Sequence, residues 1–214
     1  MHVYFLHIIQ PCPMSTLTET LVTKIATLPE GTVFYPKELL HLGSRAAIDQ
    51  TLSRLCRRGQ VTRVARGAYV KPISGRFGVR PPTPEKMLNS LAEKTGETLV
   101  THGAAAANAL GLTTQVPVHE IFLTSGRSRK FTLGARVLEL RHAPYWQIAL
   151  GNRPAGAAIR ALAWLGPQQA PPKLTELHKK LPQKEWNVLM ARRATFPSWM
   201  AKALGETTRA VSRV

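Results

Sequence analysis

Ser44, Arg45, Gln50, Ser53, Arg54, Arg57, Arg58, Arg63 and Arg66 are the residues whose types and spacing point to chemistry in this chain. That chemistry is recognition rather than catalysis. Arg45 and Gln50 carry flat groups that make paired hydrogen bonds to base edges in the major groove. Ser44, with the free backbone N–H groups of a helix start, suits a phosphate. Arg54, Arg57 and Arg58 read as phosphate clamps, with Arg58 alternatively turned back onto its own domain. Arg63 and Arg66 fall in a following hairpin, where Gly67 allows a tight turn and lets the arginine before it approach a sugar-phosphate backbone. From Gly31 to Arg80 the cations are Lys37, Arg45, Arg54, Arg57, Arg58, Arg63, Arg66, Lys71, Arg76 and Arg80, against only Glu38 and Asp49. That balance is the electrostatic footprint of a duplex-DNA reader.

The elements that must position these groups follow from the local pattern. Leu17, Leu21, Ile25 and Leu28 form the stripe of an amphipathic helix, and Thr16 with Glu19 fits a capping box. Pro29-Glu30-Gly31 ends it, and Thr32 to Phe34 reads as a short extended piece. PKELLHL then predicts a short helix broken at Gly43. Ser44 caps a second helix, RAAIDQTLSRLCRR, which Gly59 ends. Ile48, Leu52 and Leu55 turn one face of it inward, opposite Ala46, Gln50, Ser53 and Arg57. QVTRVARGAYVKP follows as a hairpin turning at Arg66-Gly67, with Tyr69 as a packing residue that closes it. This order predicts a winged helix-turn-helix. A basic solvated face on one helix is common; a basic helix followed by a basic wing is what docking on duplex DNA requires.

Beyond it, PISGRFGVRPPTP predicts a linker over 73–84. A second domain over 85–206 begins with a helix around Met87, Leu88 and Leu91. Strands are expected at Leu99–Thr101, Val118–Thr124 and Arg136–Arg141, and an Ala-rich helix before Gly111. SGRSRKFTLGA supplies a turn or a short strand. Four helices are then expected around Ile159, Leu177, Trp186 and Trp199, separated by short proline-bearing loops, with a tail at 207–214. Residues 1–14 read as an N-terminal extension ahead of a natural start at Met14, lacking the pattern of a signal peptide. The winged domain is expected over 15–72. The fold class expected is α+β, mainly α with a small β component: an N-terminal winged helix-turn-helix, an α+β middle region and a helical C-terminal part.

The formal charge of +17 and pI of about 10.8 favour polyanionic partners. The two cysteines, Cys12 and Cys56, form no disulfide framework or zinc pattern, which fits a reducing, cytoplasmic compartment; Cys56 reads as a small packing hydrophobe. The carboxylates are scattered and the histidines isolated, so no catalytic site, metal or cofactor is expected. His102 reads as a helix cap. Arg127, Arg129 and Lys130 form a second basic turn, a solvated hairpin or a secondary nucleic-acid or partner contact, without the spacing of a P-loop.

Leu52, Leu55, Gly59, Arg63, Val64, Arg66, Gly67 and Tyr69, and then Ala106, Gly111, Leu112, Thr113, Gln115 and Pro117, carry a resemblance. The chain resembles the AbiEi-type antitoxins of type IV toxin–antitoxin, or abortive infection, systems, from about Thr16 to Leu204. The resemblance implies a repressor that binds inverted repeats in the operator of its own operon. It also implies a role in phage defence beside a nucleotidyltransferase-like toxin, which is neutralised without a stable complex. In that scheme the winged helix serves repression and the C-terminal domain serves antitoxicity. The reading is therefore a cytoplasmic, non-enzymatic DNA-binding autorepressor and antitoxin. The alternatives are a nucleic-acid-directed enzyme or RNA-binding protein targeted by its winged helix, or a protein-binding scaffold.

Overall fold

Capping residues decide where the first elements start and stop. The computed structural model describes residues 16–76 and 78–211, so the expected extension at 1–14 lies outside them. Helix α1 (Leu17–Ala26) opens on the Thr16–Glu19 capping box: the Glu19 N–H donates to Thr16 Oγ1, and the Thr16 N–H donates to the Glu19 carboxylate. Strand β1 (Val33–Phe34) follows, and then a single 3-10 turn at Pro36–Leu39. Helix α2 (Arg45–Arg57) starts where Ser44 Oγ accepts from the Ala47 N–H, and it ends before Gly59, whose φ is 72°. Strands β2 (Thr62–Ala65) and β3 (Ala68–Val70) form the hairpin, and Gly67 turns it at φ 69°. The sheet order is β1-β3-β2, all antiparallel. This is a winged helix-turn-helix. Its core gathers Leu21, Ile25, Phe34, Leu39, Ile48, Leu52, Leu55, Val61 and Tyr69, so the inward face of α2 is the one its periodicity predicts.

The chain divides into two units, Met1–Pro82 and Thr83–Val214. The first also contains the hairpin of β4 (Ile73–Gly75) and β5 (Gly78–Arg80). A linker was expected there. Both strands are largely exposed, so no apolar alternation signals them in the sequence.

The second unit begins with α3 (Pro84–Thr95), capped by Thr83 and closed by Gly96. Strand β6 (Leu99–Thr101) leads into α4 (Gly103–Ala109), followed by β7 (Glu120–Thr124), β8 (Arg129–Leu133) and β9 (Arg136–His142). The sheet order is β6-β7-β9-β8; β7 and β9 are parallel and the other pairs antiparallel. Four helices complete the unit: α5 (Tyr145–Ile148), α6 (Pro154–Lys180), α7 (Gln183–Ala191) and α8 (Ser198–Val211). Ala106 and Ala107 of α4 and Ala155, Ala158 and Ala161 of α6 are buried in one core with Leu162, Leu174, Leu177, Trp186 and Leu204. Helices α4 and α6 approach so closely that a Cβ at Gly103 would stand 2.3 Å from the Arg160 carbonyl oxygen.

The C-terminal part is helical, but its joints differ from expectation. The first two expected helices are not separated by a loop; they meet at Gly166, which turns the chain at φ 75° just before Pro167. The last helix is fourteen residues long and takes in much of the expected tail. Helix makes up 53% and strand 18%, an α+β fold. Among the described residues, no helix is long and apolar enough to cross a membrane.

Candidate nucleic-acid interface

The solvent-facing stripe of α2 consists of Ala46, Gln50, Ser53 and Arg57, all exposed, with Arg45 and Arg54 beside it. Ser44 is committed as the helix cap, its Oγ 3.3 Å from the Ala47 nitrogen, so its contact with a phosphate would run through the helix start rather than a free hydroxyl. Arg54, Arg57 and Arg58 line one shallow depression of about 260 Å3 at the C-terminal end of α2. Three guanidinium side chains bordering one hollow suit a phosphate clamp. Arg63 and Arg66 are exposed on the wing. Lys71, by contrast, is spent on structure: its Nζ donates to the carbonyls of Ala26 and Leu28, both at 2.6 Å, closing the end of α1.

Tyr69 joins helix and wing. It is 5% exposed, stacks on Phe34 with ring centroids 5.9 Å apart, and lies opposite Arg63 in the β2–β3 register. Burial pushes its phenol up, and the same group is acted on by Arg63, Cys56, Asp49 and Arg45. Cys56 is partly buried against the same core. Burial raises its thiol pKa against the opposing pull of the Arg63 charge and backbone N–H.

One relationship on this face was not drawn from the sequence. Arg45 Nε donates to Asp49 Oδ2 at 2.8 Å. The signal was the i, i+4 spacing of opposite charges.

The second basic turn differs from its expected form. Arg127 and Lys130 are exposed, but Arg129 is partly buried and grips Glu97 with two hydrogen bonds, Nη2 to Oε2 at 2.7 Å and Nη1 to Oε1 at 3.0 Å. Thr124 Oγ1 donates to the same carboxylate at 2.9 Å. Burial pushes Glu97 up, but the hydrogen bonds from Arg129 and Thr124 and the Arg129 charge outweigh it and hold the group below its usual range. Arg129 thus fastens the turn to the chain ahead of β6 and leaves the exposed patch to its two neighbours. Their separation of 32 residues hides such a partner from local pattern reading.

His102 caps α4, its Nδ1 accepting from the Ala104 N–H at 3.3 Å. Burial and the nearby Arg141 charge both lower its pKa, so it is a neutral cap at physiological pH. Arg160 is 1% exposed, with its pKa lowered by burial to about 10. It remains charged and ties α6 to the Gly151 carbonyl at 2.8 Å. Among the described residues, no group of three or more His, Cys, Asp or Glu side chains is placed to hold a metal.

A family profile described as a family of unknown function (DUF6088) matches residues 20–188. No curated protein matches the sequence. Among solved structures, the crystal structure of the RV2827C protein from Mycobacterium tuberculosis matches at 14% identity. Its TM-score is 0.49, and the match covers 90% of this chain and 77% of that one.

Proposed function

The chain belongs to the DUF6088 family, whose function is unknown, and from the site itself we propose that it binds duplex DNA sequence-specifically and represses its own operon. In this reading it is the antitoxin of a type IV toxin–antitoxin system. The observation that carries the DNA half is a basic exposed helix face, with Arg45, Gln50, Arg54 and Arg57, followed by a basic exposed wing, with Arg63 and Arg66. Docking then follows from chemistry. Arg45 and Gln50 enter the major groove and read base edges. The Arg54–Arg57–Arg58 hollow takes a backbone phosphate, and Arg63 and Arg66 reach the flanking backbone. The operator would carry inverted repeats.

The antitoxin half rests on the resemblance to AbiEi-type proteins in the motifs ending at Tyr69 and Pro117. It assigns protection to the second unit, against a nucleotidyltransferase-like toxin and without a stable complex. No catalytic step, metal or cofactor belongs to the proposal, and its setting is the cytoplasm.

The test is co-expression with the neighbouring toxin gene alongside a promoter reporter. Arg45→Ala combined with Arg66→Ala should abolish repression and spare protection. A folded, abundant double variant that loses both would put the two activities on one surface and end the two-part account.

A further inference from the structure

Trp164 lies on α6 but does not join the helical core that takes in Leu162 and Leu165 beside it, and it is 36% exposed. Its root is pinned, because a Cβ at Gly103 would come within 2.6 Å of the Trp164 Cβ. Its side chain helps wall a groove of about 580 Å3 between the 112–119 loop and the bend in α6. That volume lies in the range of about 300–1,000 Å3 that holds a small organic ligand.

The rest of the lining is polar or apolar, with one cation. Thr113 and Gln115 come from the loop, Gln168, Gln169 and Lys173 from α6, and Leu112 and Leu165 supply apolar surface. No carboxylate lines the groove. The loop is held in place: Asn108 Nδ2 donates to the Gln115 carbonyl at 3.0 Å, and the Gln115 N–H donates to Thr113 Oγ1 at 3.2 Å. Leu112, Thr113 and Gln115 are also motif positions that the winged helix leaves without a role.

We propose that this groove binds a nucleotide unit, base and phosphate together, either free or within a single-stranded nucleic acid. An exposed indole offers the flat face on which a base of any sequence can stack. Three side-chain amides, each with a donor and an acceptor, match the edges of an unpaired base. Lys173 supplies a cation for the phosphate, its competing contact with Glu176 being a loose 3.7 Å. An acidic lining would repel such a ligand, and none is present. All of these residues lie in the second unit, whereas α2 and the wing belong to the first.

The experiment uses the full chain, titrated with the four ribonucleoside triphosphates and their monophosphates, and separately with fluorescein-labelled RNA and DNA single strands. Saturable binding is expected. Trp164→Leu, and Gln168→Ala with Gln169→Ala, should weaken it by about tenfold or more, the scale of losing one stacked base. Affinity for the promoter duplex should stay within about twofold, as expected for a separate site. Binding of free nucleotides identifies a nucleotide pocket, and binding of oligomers alone identifies a single-strand track; both support the proposal. Circular-dichroism melts establish that the variants are folded, and if Trp164→Leu is not, the exposed glutamine pair carries the test. The proposal is overturned if no probe saturates at millimolar concentration, or if the variants bind as tightly as the parent. Capture of the toxin that depends on Trp164, with every nucleotide probe inert, would overturn it in favour of a protein-docking groove.

Discussion

Arg45 and Asp49 are joined through a single edge of the guanidinium: Nε donates to the carboxylate at 2.8 Å, with both side chains about half exposed. An exposed pair of this kind contributes little to stability. What it fixes is direction. The bond occupies Nε and leaves the edge formed by the two Nη groups open, the edge that would meet a guanine in the proposed docking. Asp49, the only acidic residue of α2, thus acts as a rest for the arginine that opens the helix.

Asp49→Asn should therefore change binding in two opposed ways. Affinity for random duplex should rise by about two- to fivefold, because a negative charge leaves the face. Preference for the operator should fall by about fivefold or more, since Arg45 loses its support for base pairing. Parallel anisotropy titrations on operator and scrambled duplex measure both. An unchanged preference would show that Arg45 reads no base.

Arg63→Ala and Arg66→Ala should weaken operator and random duplex alike. Each should also lower the magnitude of the salt slope by about one, the signature of a lost phosphate contact. A loss confined to the operator would mean that the wing reads sequence and that the roles assigned to helix and wing are reversed.

The Glu97–Arg129 pair gives a pH-dependent stability. The folded-state pKa of Glu97 lies below its unfolded value, so the carboxylate contributes stability above the unfolded value of about 4.3. That contribution is lost as pH falls through the lowered folded value. Glu97→Gln should cost about 1–3 kcal/mol at pH 7, the scale of a hydrogen bond to a charged group. The variant's melting curve should approach the parent's as the solution is acidified below about pH 4. A gap that stays constant with pH would assign the cost to packing.

Two glycines should differ in kind. Gly67→Ala meets open space but sits at φ 69°, so the cost is backbone strain of about 1–2 kcal/mol. Gly103→Ala drives a methyl against the Arg160 carbonyl at 2.3 Å, and overpacking of that severity should cost about 3 kcal/mol or more. Denaturant midpoints rank the two. An equal, small loss would mean that α4 and α6 can separate at low cost.

The capping residues and the inward stripe of α2 were legible in the sequence because they are local. Thr16 with Glu19, Ser44 and Gly59 each act within a few residues. The wing was legible because Gly67 falls between two short β-rich runs. The β4–β5 hairpin was not, since neither strand buries an alternating face. Nor was the joint in α6, where Pro167 reads as the end of a helix but Gly166 alone makes the turn. At the site, the exposed arginines could be named in advance, whereas the withdrawal of Arg129 depended on Glu97, far away in the chain. Trp164 drew no reading from the sequence, and only its exposure, on a helix where Leu162 and Leu165 join the core, sets it apart.

The central claim is most directly tested by anisotropy titration of the full chain on its own promoter fragment and on a scrambled duplex across a salt series. With about six phosphates neutralised, the log–log slope should be about −5, and the promoter should be preferred by about a thousandfold or more. A slope near zero, or equal affinity for the two duplexes, would contradict the account.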